Sequence, residues 1–404
     1  MWNQEAEKEL LEILRDLIRI DTTNPPGQEI AVAEYLGKRL DHEGIEWHTV
    51  AKDPNRPNFF ARLKGGDKEP LLFISHVDVV AAGPGWTKPA FEGLLEGETL
   101  YGRGTLDTKH LTAMGLMAML LLHREGKPLN RDIIFAATAD EECGSGNGMG
   151  YVAANHPQEL PKGYVFNEGG GFVIQVGGKK LRTIACGEKG NCRVTIPLYG
   201  KGTQRMELAA KVMERLSGYR SPVVENAVTK AFVEAVGTAP YSDPTVQNLW
   251  DYSAHHCMTI SSFDLSSEDE RQELQVIFKF LPQMNREEVE ALFHSLLDEF
   301  DLGWHITSFE EGYECSMGNE FTQLLVQNSA LLDPGSELLP MYALGNTDGR
   351  FLRHNVFGYT PLLEDIPFCD VLKMVHQDDE HITLPSLFYG GRVLYETARA
   401  LALE

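Results

Sequence analysis

Three stretches in the first half of the chain decide its fold: PLLFISHVDVV (70–80), YGRGTLDTKHLTAMGLMAMLLLHREG (101–126) and DIIFAATADEE (132–142). The first and third are short apolar runs bounded by polar residues. The middle one carries an apolar helix. Strand, helix, strand with near-continuous apolar runs predicts an α/β sheet buried on both faces. YVFN (164–167) supplies another such run. PLLFIS ends in His76, Val77 and Asp78, and DIIFAATA ends in Asp140, Glu141 and Glu142. YVFN is followed by Glu168 and three glycines, and Asp107 lies in the loop before the helix. In an open α/β sheet the ligand crevice lies beyond the carboxyl ends of the strands. These acidic and imidazole groups are therefore expected to converge there.

Upstream, an amphipathic helix over about 4–20 runs into DTTNPPG (21–27), a Pro-Gly stop signal. A second helix over about 28–43 leads to the strands EWHTVAK and NFFARLKG. The character changes after residue 186. GNCRVTIPLYG (190–200) alternates like a half-exposed strand, and MELAAKVMERLSG (206–218) is a helix. HHCMTISSFDL (255–265), ELQVIFKFLP (273–282) and GWHITSFEE (303–311) read as strands, with the helix REEVEALFHSLLDEF (286–300) before the last. That order suggests a ferredoxin-like α+β insert. NEFTQLLVQNSALL (319–332) and GRFLRHNVFGYTPL (349–362) look like a return to the first domain. The expected division is 1–186, 187–313 and 314–404, a mixed-sheet catalytic domain interrupted by a smaller one.

The whole sequence has 404 residues, 43% hydrophobic and 24% charged, ordinary values for a globular enzyme. Lys and Arg total 36 against 59 Asp and Glu, a formal charge of -23. So acidic a chain would repel a phosphate backbone or an anionic membrane, so neither nucleic acid nor membrane is an expected partner. The longest apolar run, LTAMGLMAMLLL (111–122), is too short to span a bilayer. The opening MWNQEAEKELLEILRDLIRI lacks the pattern of a secretory leader. The six cysteines include no C-x-x-C pair, and a reduced, cytoplasmic protein is the expectation.

Packed carboxylates repel and raise one another's pKa unless a cation neutralises them. Imidazole with carboxylate suits Zn²⁺ or a similar divalent ion. The candidates are His76, Asp107, Glu141, Glu142, Glu168 and a late histidine in VHQDDEH (375–381). Each is weak alone: His-x-Asp also serves as a capped turn at a strand end, and most Glu-Glu pairs are simply solvated. Their recurrence after successive strands or glycine-rich loops favours a metal site.

IDTTNPPGQE (20–29), SHVDVV followed by GW and F, YGRGTLDTKH (101–110), TADEECGS (138–145), NEGGG (167–171), TDGR (347–350) and a late His-x-x-x-Glu carry a resemblance. In order and approximate spacing the chain resembles the metallopeptidase family of aminoacylase, acetylornithine deacetylase, succinyl-diaminopimelate desuccinylase and carboxypeptidase G. The resemblance implies a zinc-binding α/β domain interrupted by a ferredoxin-like lid that makes a homodimer. It implies two Zn²⁺ per chain, with Co²⁺ or Mn²⁺ as substitutes. His76 and Glu168 would bind one ion, Glu142 and His376 the other, and Asp107 would bridge them. Glu141 would be the general base on the shared water, or else a further ligand or passive neighbour. Asp78 would fix the His76 ring. His354 and His381 compete with His376, which its position after TDGR favours. Arg350 would grip a substrate carboxylate, or else form an internal ion pair with Asp348 or Glu364.

The implied reaction is hydrolysis of an amide or peptide bond in a small N-acyl amino acid or dipeptide. An aminohydrolase on a ureido or aromatic-amine substrate, and a non-catalytic metal-binding member with an altered lid, are the alternatives. Several features depart from the family. PLYGKGTQRMELAAK (197–211) lacks the lid histidine that commonly reaches the oxyanion; Arg205, His255 or His256 would have to replace it. KFLP (279–282) stands where Asp-x-Arg is usual, and Thr108 and His110 stand where Met and Gly are usual. His110 would face the pocket or cap the next helix, the second being favoured. A serine hydrolase is excluded by the absence of a G-x-S-x-G elbow.

Overall fold

A computed structural model describes residues 1–200, 202–263 and 271–403. These divide into two compact units, one of Met1–Cys186 with Cys315–Glu404 and one of Gly187–Glu314.

The first unit is built on a nine-stranded mixed sheet, in an α/β arrangement. Its centre is parallel: the strand Lys68–His76 pairs with Arg131–Thr138 on one side and Tyr164–Asn167 on the other, and Val356–Gly358 follows next to Tyr164–Asn167. Antiparallel strands Asn58–Leu63 and Trp47–Val50 extend one edge. Lys179–Ala185 joins the other side antiparallel, carrying Ser336–Met341 in parallel and Val173–Val176 antiparallel. Leu71, Leu72, Phe73 and Ile74 are all buried, as a strand covered on both faces requires. The helix Lys109–Glu125 is buried from Lys109 through Leu122 and packs against the helix Leu384–Leu403. It stops at Gly126, whose φ of 63° suits a residue without Cβ. Burying each of its leucines and methionines contributes about 1.5–3 kcal/mol. The sequence pattern marked the Lys109–Glu125 helix and the central strands; the helix Leu384–Leu403 had no expectation attached to it.

Because the central strands run parallel, their carboxyl ends lie on one edge. His76 ends one of them, Glu168 directly follows another and Asp140 lies two residues beyond a third. A small antiparallel sheet of His381–Thr383, Thr99–Tyr101 and Leu94–Glu96 sits in the same unit. The Asp107–Thr108 peptide is cis.

In the second unit four antiparallel strands lie in the order Cys257–Phe263, Arg271–Phe280, Gly190–Tyr199, His305–Glu310. With the helices Thr203–Ser217 and Arg286–Leu297 the chain order is strand, helix, strand, strand, helix, strand. Two helices not foreseen, Ala227–Val236 and Pro244–Ala254, precede the second of these strands. Its core gathers Val194, Ile196, Val276, Phe278, Val212 and Phe293. The expected strand HHCMTISSFDL begins two residues late at Cys257. Its last two residues, 264 and 265, lie outside the described ones.

Candidate metal centre

His76 is the last residue of its strand and is almost fully buried. Its Nδ1 lies 2.9 Å from the main-chain oxygen of Asp78. An N–H donated there leaves Nε2 with its lone pair facing outward. Nε2 lies 3.0 Å from Asp107 Oδ1 and 3.6 Å from Glu168 Oε2. The other Asp107 oxygen, Oδ2, lies 2.9 Å from His376 Nε2, which also lies 3.1 Å from Glu142 Oε2. Asp107 thus divides its two oxygens between two imidazoles. Ligand atoms of His76, Asp107 and Glu142 all fall within 4.8 Å of one another. The structure therefore brings together His76, Asp107, Glu142, Glu168 and His376.

The Asp78 carboxylate has a different set of neighbours from its carbonyl. Oδ1 lies 3.5 Å from His76 Nδ1 but accepts the Glu141 N–H at 3.1 Å. Oδ2 accepts the Glu142 N–H at 3.1 Å and Asn24 Nδ2 at 2.8 Å. One carboxylate thereby holds the turn that carries both glutamates. Asp140 opens that turn at φ 64°. It is fixed by Asn24 Nδ2, by both amide groups of Asn147 and by Arg56, which also forks onto Glu29. Asn24 and Arg56 were not singled out from sequence. Residues this far apart in the chain share no local pattern.

Glu141 points to Arg350, whose Nη1 donates to Oε1 at 3.1 Å. Arg350 is 7% exposed and donates also to the Thr347 carbonyl and to Ser145 Oγ. Asp348, the alternative partner, accepts hydroxyls from Thr138 and Ser145, and Glu364 accepts from Gln175. His110 is buried, and among the described residues neither ring nitrogen has a hydrogen-bond partner. The favoured expectation that it caps the helix is thus corrected: its ring sits inside the fold. In the second unit, His255 Nδ1 faces the Ser221 and Pro222 carbonyls and His256 Nδ1 accepts the Leu281 N–H.

The electrostatics follow from this crowding. Burial pushes the Glu141 carboxyl well above its ordinary range, reinforced by Glu168 and Asp348 and opposed by His76 and Arg350. Burial likewise pushes Glu168 up to about 7, against the pull of His76. For Asp107 burial acts upward too, but bonds from His376 and His76 overcome it and hold the carboxyl far below its usual range. Bonds to Asp107 and Glu142 raise His376 to about 10. Burial opposes protonation of His76, yet Glu168, Asp107 and Asp78 raise it well above normal. So many facing carboxylates need positive charge among them. Imidazolium protons are one source and divalent cations another.

The donor set fits divalent metal. Two imidazole nitrogens, both Asp107 oxygens and two further carboxylates suit Zn²⁺, Co²⁺ or Mn²⁺. Glu142 Oε1 is buried and has no protein hydrogen-bond partner among the described residues, as a ligand oxygen would.

Fold and donor set together define an α/β protein with a carboxylate–imidazole cluster at the strand ends that could hold divalent metal. Residues 72–400 match the profile of Peptidase family M20/M25/M40, and the chain belongs to that family. A probable succinyl-diaminopimelate desuccinylase of Staphylococcus aureus is 37% identical over 144 residues, 34% of this chain and 33% of that one. That match therefore spans about a third of the curated relative. An M20 family metallo-carboxypeptidase from Sulfolobus solfataricus shares the fold at TM-score 0.76 and 17% identity, covering 97% of this chain and 98% of that one. A Bacillus subtilis protein described as a dinuclear metal binding peptidase of the M20 family superposes at TM-score 0.62 and 12% identity, with 99% of each chain covered. Among the described residues, no helix is long and apolar enough to cross a membrane.

Proposed function

We propose that this chain is a dinuclear metal-dependent amidohydrolase, cleaving the amide or peptide bond of a small N-acyl amino acid or dipeptide. The observation that carries the reading is the division of the Asp107 oxygens between His76 and His376. His76, Glu168 and one Asp107 oxygen would hold one cation; His376, Glu142 and the other oxygen would hold the second. Zinc is the reading best suited to this set, with Co²⁺ or Mn²⁺ as substitutes. When bound, such cations supply Lewis-acid polarisation of an amide carbonyl and a lowered pKa for water.

The protein's own groups do the rest. Asp78 sets the Glu141–Glu142 turn through two main-chain bonds and the His76 ring through its carbonyl. Glu141 is the general base: it takes the proton of the attacking water and returns it to the leaving amine. Burial favours its protonated form, so it holds that proton between the two transfers. Arg350, on present contacts, steadies the Glu141 carboxylate; gripping a substrate carboxylate would require it to leave that partner. The catalytic domain comprises 1–186 and 314–404, and 187–313 acts as a lid through which two chains dimerise. The enzyme works in the cytoplasm.

The test is hydrolysis across a panel of N-acyl amino acids and dipeptides with added Zn²⁺, Co²⁺ or Mn²⁺. Cleavage by the wild type that Glu141→Ala abolishes supports the reading. A wild-type chain that cleaves none of the panel with any of these metals contradicts it.

A further inference from the structure

The YGRG loop and the acidic run after His376 carry residues that the ligand set leaves unexplained: Arg103, Asp378, Asp379 and Glu380. Glu380 is fully buried. Its Oε1 accepts main-chain N–H groups from Gly104 at 3.2 Å, Leu106 at 2.6 Å and Asp107 at 3.1 Å. Its Oε2 accepts from Arg103 Nη1 at 2.6 Å. Arg103 is itself buried, with its guanidinium 5.2 Å from the Trp86 ring centre. The main chain adds to this: Gly102 N–H donates to the Glu380 carbonyl at 2.9 Å, and His381 pairs with Tyr101 in the small sheet.

The neighbouring acids act on the adjoining loop. Asp379 accepts from the Thr87 and Lys88 N–H groups at 2.8 and 3.0 Å, and from the Thr87 hydroxyl at 2.7 Å. Asp378 lies against Gly85, where a Cβ would come within 2.2 Å of its carboxylate. His376, by contrast, has a side chain 46% exposed. Its position relative to Asp107 depends on where the chain is tied just beyond it.

We propose that Glu380 is a positioning residue for the metal centre: one buried carboxylate ties the loop that ends in Asp107 to the segment that begins with His376. The inference rests on the metal reading above. An ionised carboxylate is an acceptor on every lone pair, which suits three N–H groups and a guanidinium at once. Glutamine keeps the size but turns one acceptor into a donor, so at least one of those groups loses its partner. Asp107 and His376 would then be free to drift apart, and ligand sets tolerate only about 0.5 Å of such drift.

The experiment is a chelator-competition titration with Zn²⁺ on the full chain, comparing wild type, Glu380→Gln, Asp379→Asn and a control, Arg124→Met. Arg124 pairs with Glu9 and Glu43 at the far end of the helix that starts beside Asp107, about 20 Å away along its axis. The control should lower the melting temperature yet leave zinc affinity within about twofold of wild type. Glu380→Gln should weaken zinc binding by about 10–100-fold, the range for groups that orient ligands. Asp379→Asn should weaken it in the same sense and by less. If Glu380→Gln does not fold, Asp379→Asn carries the test, because its partly exposed side chain anchors the same segment. Wild-type zinc affinity in every folded variant of the two overturns the inference and leaves the metal reading intact. A wild type that binds no metal overturns the metal reading itself.

Discussion

Arg350 and Glu141 meet in the site, Nη1 to Oε1 at 3.1 Å, although 209 positions separate them in sequence. Both side chains are close to nine-tenths buried. The pair opposes the rise in the Glu141 pKa that burial, Glu168 and Asp348 impose. Arg350 therefore favours the ionised form that a base requires. Arg350→Met is expected to lower kcat on the order of 10²-fold, a part of what a general base contributes. Metal content should stay at the wild-type level. Steady-state kinetics beside elemental analysis of the same preparation checks both halves; an unchanged kcat would remove Arg350 from the account.

Glu141→Gln keeps the size of the side chain and removes its basicity. The expectation is a loss of about 10²–10⁴-fold in kcat, with two metals retained. Loss of metal in this variant would make Glu141 a ligand rather than a base.

The second unit holds a pH-sensitive contact of its own. His256 Nδ1 accepts the Leu281 N–H at 3.0 Å, which requires an unprotonated nitrogen. Burial, with Lys189 and His255, lowers this histidine to about 4, against the ordinary 6.5. A folded pKa below the unfolded one means that the stabilisation is complete above pH 6.5 and is lost as pH falls toward 4. Thermal melts at pH 7.5 and 5 should show a smaller difference in His256→Gln than in wild type. Equal pH dependence in the two proteins would contradict the assignment.

Leu72 is fully buried in the strand whose last residue is His76. Leu72→Ala should cost about 2–5 kcal/mol. Denaturant unfolding measures this, and a change below about 1 kcal/mol would mean the strand is less tightly covered than described.

How much of this was legible beforehand depends on the range over which each signal acts. The central strands and the helix Lys109–Glu125 were readable because periodicity and apolar runs are local. The candidate donors His76, Asp107, Glu142 and Glu168 stood out because each lies at or shortly after a strand end or a glycine-rich loop, and one sheet edge collects the strand ends. His376 came from the resemblance, because nothing local separates it from His354 and His381. The helices Ala227–Val236 and Pro244–Ala254 went unread because they lie among prolines, glycines and mixed polar residues. The supports of the site were hidden for another reason. Asn24 on Asp78, Arg56 on Asp140, Arg350 on Glu141 and Glu380 on the 102–107 loop are single long-range bonds or small clusters of them. No spacing announces such a bond, and only the folded chain reveals it.

If the Asp107 carboxylate is shared between two cations, its removal empties both positions. Metal content per chain, measured by elemental analysis for wild type and Asp107→Ala after equilibration with Zn²⁺, tests it most directly. About two metals are expected in the wild type and well under one in the variant, because one side chain serves both positions. Two metals retained by Asp107→Ala, or none taken up by the wild type, would contradict it.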